Sequence, residues 1–286
     1  MREAAGGLEY GLLCGVSAVA KKKCVYITGG SSGIGLGLAR FYASAGDDVI
    51  LLARDREKLA GAVSDCRQVA ANSDQIIAGE SLDITAYPGL PTAVDELVGR
   101  HGLPDLVLLC AGVAGNKRFL DCSAAEFDLM MDINLAGSRE VVRALLPAML
   151  QRDSGQLAFV SSMAGLVGMY GYSAYSASKF AVNGLAQSLQ QELAGTGVSV
   201  HVICPPEVNT PMIAAETAQA VPQTRFLKDL VGTLEPDEAA RKIAAGLDRR
   251  RLVIIPGFRA RLVAWSARHF PAIFSKSIAL LLRWKF

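Results

Sequence analysis

Short apolar runs separated by helix-length segments recur from residue 23 onward, and nothing else in the sequence restricts the architecture as strongly. KCVYIT, DVILLA, QIIAGESLDI, PDLVLLCAG, GQLAFVSSMAG, VSVHVICPP and RLVIIPG read as strands. They lack the polar alternation of a strand with one wet face, so each must be covered on both sides. Between them lie helical patterns: IGLGLARFYASAG, REKLAGAVSDCRQVA, the stretch from Ser123 through Leu150, and YSASKFAVNGLAQSLQQELA. The alternation predicts an α/β chain built on one doubly wound parallel sheet with helices on both faces. A single domain accounts for residues 22–257, preceded by an N-terminal extension (1–21) and followed by a basic amphipathic helical tail (258–286). The span 208–234 shows no clear periodicity and is expected to be a mobile loop over a substrate.

Where the first strand meets the first helix, TGGSSGIG (Thr28–Gly35) supplies Gly29, Gly33 and Gly35. Glycines allow a tight turn and let backbone N–H groups approach a pyrophosphate at the helix N-terminus. The strand–turn–helix setting is what gives such a motif meaning. It marks Gly29, Ser31, Ser32, Gly33, Ile34 and Gly35 as a dinucleotide cradle. Asp83, closing the third strand, suits an adenine edge, and Ala111 and Gly112 after the fourth are small enough to let a cofactor pass. The second strand ends LLAR. An NAD site usually places an acid there for the ribose hydroxyls, whereas this chain has Ala53 followed by Arg54. Arginine matches a 2′-phosphate, with Ser31 and Ser32 as further donors, so NADP(H) is the expected cofactor. Asp55 dissents, but one or two positions late.

In YSASK, Tyr175 and Lys179 stand four apart, which on a helix places them on one face. An ammonium beside a phenol lowers the tyrosine's pKa and makes it a usable proton donor near neutral pH. Tyr170 and Tyr172 lack a lysine at that spacing. Ser162 lies thirteen residues before Tyr175, and Asn134 sits in MDINLAG.

With the glycine turn, these features in this order resemble the short-chain dehydrogenase/reductase family, over about residues 22 to 257. The resemblance implies a Rossmann-type fold and oxidoreduction between an alcohol and a carbonyl. It implies that Tyr175 donates the proton and that Ser162, better spaced than Ser161, orients and polarises the carbonyl. Lys179 would tune the tyrosine and hold the nicotinamide ribose, while Asn134 supports a water relay. Pro205, Val208 and Thr210 would bound the nicotinamide. The chain departs from the family pattern at Cys110, where Asn is usual, and at Pro206, where Gly is usual. SSMAGLVGMYGYSAYSASKFA, PPEVNTP and TRFLKDLVGTLEPDEAARKI look like the 3-ketodihydrosphingosine reductases within that family. That likeness implies NADPH-dependent reduction of a long-chain, lipid-like ketone in sphingolipid synthesis. A steroid, retinoid or other small carbonyl is the alternative. A non-catalytic NADP-binding sensor would not need Ser162, Tyr175 and Lys179 together.

Composition bears on partners and location. Of 286 residues, 51% are hydrophobic and 20% charged, which suits a large core. The net charge of +2 hides an asymmetry: residues 249–286 hold seven Arg, two Lys and no acid, leaving −7 on the remainder. A basic, apolar tail favours a membrane surface over nucleic acid, and Pro271 should split it into two helices. A homo-oligomer is expected, and capping of the domain or burial in that oligomer competes for the same apolar side. No segment reaches the roughly 18 uncharged apolar residues needed to cross a bilayer. The run YGLLCGVSAVA is followed by lysines rather than preceded by them, unlike a secretory signal. Six cysteines (Cys14, Cys24, Cys66, Cys110, Cys122, Cys204) without C-x-x-C, and three His, predict no metal site and thiols kept reduced. The expected location is cytoplasmic, peripheral on the cytoplasmic face of a membrane.

Overall fold

The computed structural model describes residues 22–217 and 220–286; the expected extension at 1–21, with Cys14, lies outside the described residues. In chain order the strands are β1 (Cys24–Thr28), β2 (Asp48–Ala53), β3 (Ile77–Ser81), β4 (Leu106–Leu109), β5 (Gly155–Val160), β6 (Val198–Ile203), β7 (Glu207–Val208), β8 (Thr233–Leu234) and β9 (Val253–Ile254). The helices are α1 (Gly33–Ser44), α2 (Arg56–Gln68), α3 (Leu90–His101), α4 (Ala124–Met131), α5 (Ser138–Arg152) and α6 (Ser173–Glu192). After them come α7 (Pro211–Thr217), α8 (Pro222–Val231), α9 (Pro236–Asp248), α10 (Phe258–His269) and α11 (Pro271–Lys285).

Seven strands form one parallel sheet in the order β3-β2-β1-β4-β5-β6-β9. Its strands lack polar alternation because both faces are covered. Val25 and Ile27 of β1 join a core with Leu38 of α1, Leu59 of α2 and Ile243 of α9. Tyr26 points the other way, into a core with Val94 of α3, Leu145 of α5 and Val182 of α6. Each such side chain contributes about 1.5–3 kcal/mol when fully buried, so a polar residue at either parity would be rejected. The expected doubly wound sheet is therefore the observed one.

The topology also fixes where a ligand can sit. From β1 the chain builds outward through β2 to β3, then returns to place β4 on the other side of β1. The loops after β1 and β4 run apart and leave a crevice at the strands' C-terminal ends. Thr28 ties the two edges together, its Oγ1 accepting from Ala111 N at 3.2 Å.

Three local features differ from the sequence expectation or refine it. The helix expected from Ser123 to Leu150 begins with a Ser123–Glu126 capping box but is interrupted by a π-helical turn, Asp132–Gly137, between α4 and α5. The span 208–234, expected as a loop, contains α7, α8 and β8, the last pairing with β7. Its signals were local: Pro222 opens α8 at a first-turn position, Gly232 ends it at φ +86°, and Leu227 is buried between them. Ten residues are too few for periodicity alone to declare a helix. Finally, Pro271 does divide the tail into two helices, but they fold back onto the domain. The tail closes against α8, with Lys285 Nζ 3.9 Å from the Phe226 ring centroid. Among the described residues no helix is long and apolar enough to cross a membrane.

Candidate active site

The glycine turn lies in the crevice between β1 and β4. Gly29 has φ +65°, and a Cβ there would stand 2.8 Å from the Ala111 backbone, so only glycine lets the two strand ends approach. Gly33, at φ +56°, packs the same way against Thr210. The first turn of α1 carries no acid, and Ser32 occupies its N-cap without a side-chain capping bond. The positive end of the helix thus faces the crevice uncompensated. Gly29, Ser31, Ser32, Gly33, Ile34 and Gly35 line this crevice. Ala111, Gly112, Pro205, Val208 and Thr210 line it too.

An adjoining cavity is lined by Ser31, Ser32, Arg54, Lys58 and Asp83. Asp55 also borders it, but its carboxylate caps α2, accepting from Glu57 N at 3.1 Å and Lys58 N at 3.0 Å. Those bonds from Lys58 hold it below the usual carboxylate range. The dissenting acid is thus committed to the helix. Asp83 stands just past β3 rather than within it, and accepts from Thr85 N at 2.9 Å and Thr85 Oγ1 at 2.7 Å, which lowers its pKa.

At the other end of the crevice, α6 presents Tyr175 and Lys179 on one face, with Nζ 5.7 Å from the tyrosine ring centroid. Lys179 is buried and donates to Val160 O at 3.0 Å. Burial pushes its pKa down to about 8. Ser162 leaves β5 half-buried, its Oγ accepting from Ala164 N at 3.1 Å. Ser161 is buried and donates to Lys179 O at 3.1 Å, so its hydroxyl anchors the helix. Tyr172 is also buried, its ring 5.4 Å from that of Tyr175, while Tyr170 is exposed. Cys110 lies beside Lys179, and burial pushes its thiol up to about 12.

Asn134 sits in the π turn and is buried. π turns re-aim side chains and recur at functional sites. Here the amide donates to Val113 O at 3.0 Å and to Ser178 Oγ at 2.9 Å, and accepts from Val113 N at 2.8 Å. It therefore clamps the loop after β4 to the start of α6. Gly112 lies between the clamp and the lysine: a Cβ there would be 2.9 Å from Asn134 Oδ1 and 3.4 Å from Lys179 Nζ.

The structure adds residues that sequence reasoning did not place. Glu207 and Lys228 form a half-buried ion pair at 2.8 Å on the pocket wall, and Lys228 Nζ lies 5.4 Å from the Tyr172 ring centroid. Glu207 belongs to the PPEVNTP stretch and Lys228 to TRFLKDLVGTLEPDEAARKI, but no sequence signal pairs them across the span expected to be a loop.

Comparison with known proteins agrees with this geometry. Residues 23–220 match the family model for short chain dehydrogenases. The chain is 34% identical over 218 residues to a 3-dehydrosphinganine reductase of Danio rerio, a match covering 76% of this chain and 66% of that protein. It thus spans just under two thirds of that relative's length. It is 38% identical over 247 residues to a 3-dehydrosphinganine reductase of Arabidopsis thaliana, covering 85% of this chain and 74% of the other. A short-chain dehydrogenase from Sphingobium yanoikuyae, solved in complex with NADPH, superposes with a TM-score of 0.73 at 26% identity, covering 88% and 95% of the two chains. Sheet order, glycine turn and the Ser162, Tyr175 and Lys179 grouping agree with that match, and the chain belongs to the short-chain dehydrogenase family of oxidoreductases.

Proposed function

We propose that the protein uses NADPH to reduce a long-chain, lipid-like ketone to a secondary alcohol, with 3-ketodihydrosphingosine as the substrate that the relatives' names favour. One observation carries the reading: Ser162, Tyr175 and Lys179 line the same pocket as the glycine cradle. The residues fit a dinucleotide. Gly29 and Gly33 keep the turn clear where a Cβ would close on Ala111 or Thr210, and α1 offers an uncompensated N-terminus. Arg54 and Lys58, with Ser31 and Ser32, suit a 2′-phosphate, while Asp55 is engaged elsewhere, Oδ1 on the α2 cap and Oδ2 on Lys58 Nζ at 3.1 Å. Asp83 borders the adenine side; Ala111 and Gly112 let the cofactor pass; Pro205, Val208 and Thr210 bound the nicotinamide end.

When bound, NADPH supplies the two electrons and one hydrogen that reach the carbonyl carbon. Tyr175 gives its phenolic proton to the carbonyl oxygen. Lys179, cationic below about pH 8, stabilises the phenolate left behind and, with Tyr175, holds the ribose. Ser162 Oγ accepts from Ala164 N, which leaves its own proton to donate to the carbonyl and orient it. Asn134 has spent both amide protons and keeps one lone pair for a water relaying protons toward Lys179. The tail's outward aromatic and basic residues dock on the cytoplasmic face of a membrane. NADPH oxidation by the full chain with 3-ketosphinganine, beside short ketones and steroids, tests the reading. Higher kcat/KM for the long-chain ketone is expected. Turnover restricted to short or cyclic ketones would reject it.

A further inference from the structure

A second cavity of about 600 Å³ adjoins the catalytic pocket, and the chemistry above leaves it unused. It lies within the size range of small-molecule sites. Its walls come from the segment after β5, from α8 and from the two tail helices. Met163, Met169 and Val231 line both cavities, so the second opens beside the reactive groups. On α11, Phe274, Ile278 and Leu282 line it at intervals of four, a single helical face. Among the described residues no Asp, Glu, Lys, Arg or His contributes to the lining, although α10 and α11 together carry six Lys and Arg. Such walls offer a polar ligand no compensation for lost water. A hydrocarbon gains roughly fourfold in affinity for each methylene they cover.

We infer that this cavity holds the alkyl chain of the ketone whose carbonyl meets Ser162 and Tyr175, and that α10 and α11 form the outer wall of the chain site. The inference rests on the ketone-reductase reading. The α8 and tail walls lie beyond residue 220, where the family match ends, so two of the three walls of the chain site come from sequence outside the shared pattern.

Ala267 on α10 and Ser275 on α11 line the cavity, and tryptophan at either position occupies part of it. Ser277 is exposed and does not line it. The full chain is compared with Ala267→Trp, Ser275→Trp and the control Ser277→Trp. One measurement is cis-parinaric acid affinity by fluorescence titration. The other is the ratio of kcat/KM for a long and a short straight-chain ketone, both with NADPH. Each filling variant should weaken probe binding and lower the long-to-short ratio roughly tenfold, while Ser277→Trp changes neither. Two helices carry the filling variants, so if one chain fails to fold by circular dichroism the other decides. Folded filling variants with unchanged probe affinity and ratio overturn the chain site. Probe binding that falls on filling while no chain turns over any ketone upholds the alkyl site and rejects the reductase reading instead.

Discussion

Lys179→Met separates what the buried lysine does for chemistry from what it does to the fold. In the unfolded chain its ammonium persists to about pH 10.5, but burial lets the folded chain keep it only to about pH 8. Between those values the unfolded state binds more protons, so wild-type stability rises with pH across the window. Below it the fold carries the full cost of the buried cation, about 3 kcal/mol. By about pH 9.5 most lysines in the folded chain are neutral and about 1 kcal/mol of that cost remains. Methionine has a similar length and no titrating group, so the variant carries none of it. Losing the donor to Val160 O costs about 1.5–3 kcal/mol and offsets much of the gain at neutral pH. The sharp expectation is therefore a slope. Relative to Lys179→Met, the wild type should gain about 2 kcal/mol between about pH 7 and pH 9.5. Urea unfolding of both cofactor-free chains, followed by circular dichroism at the two pH values, measures it. Turnover should be lost in the variant at either pH. A stability difference that stays flat, or that moves the other way, would show that Lys179 is not desolvated in the fold.

Tyr175→Phe should remove most turnover and weaken NADPH only modestly, because the proton donor is lost while Lys179 still holds the ribose; steady-state rates and cofactor titration read the two effects separately. Arg54→Ala removes a charge-assisted contact worth about 1.5–3 kcal/mol, so preference for NADPH over NADH should fall by roughly one to two powers of ten. An unchanged ratio would move the 2′-phosphate to Lys58 and the serines. Trp265→Ser with Trp284→Ser in the full chain should weaken co-sedimentation with anionic vesicles, since both indoles are more than half exposed, at 52% and 86%.

What could be read from the sequence was whatever repeats along it or lies close together in it. The strands were legible because β1 alternates between two cores rather than between core and water, which leaves Val25, Tyr26 and Ile27 all apolar. The grouping of Ser162, Tyr175 and Lys179 in one pocket was legible because Tyr175 and Lys179 are four residues apart and Ser162 stands thirteen before Tyr175. The π turn was not, since one extra residue in a helical turn leaves no compositional trace; only the buried Asn134 shows what it achieves. The Glu207–Lys228 pair joins groups that only the tertiary fold brings to 2.8 Å. The alkyl cavity is further still from legibility. Its three walls are separated in sequence, and each alone looks like an ordinary apolar stretch.

At the sequence level domain capping and membrane docking compete for the tail; the fold rests one apolar side of it on the domain and leaves another exposed. A helix resting on a domain needs one apolar stripe and a polar remainder. On α11 that stripe is Phe274, Ile278 and Leu282, toward the cavity. Yet Ile273, Leu280 and Trp284 are 65%, 65% and 86% exposed, so a second apolar side has no cover among the described residues. Arg261, Arg268, Lys276 and Arg283, spaced at seven, eight and seven, are likewise exposed. Capping the domain accounts for the inner side only; the outer side has the exposed apolar and basic composition that a surface for anionic lipid would need, and the vesicle assay tests it. If each side has its own task, the two should fail independently. The paired Trp265→Ser and Trp284→Ser changes should weaken vesicle binding and leave the long-to-short ketone ratio alone. Ala267→Trp should lower that ratio and leave vesicle binding alone. Should either set of substitutions shift both readouts, the faces are not separable, and the tail is one apolar strap with a single function.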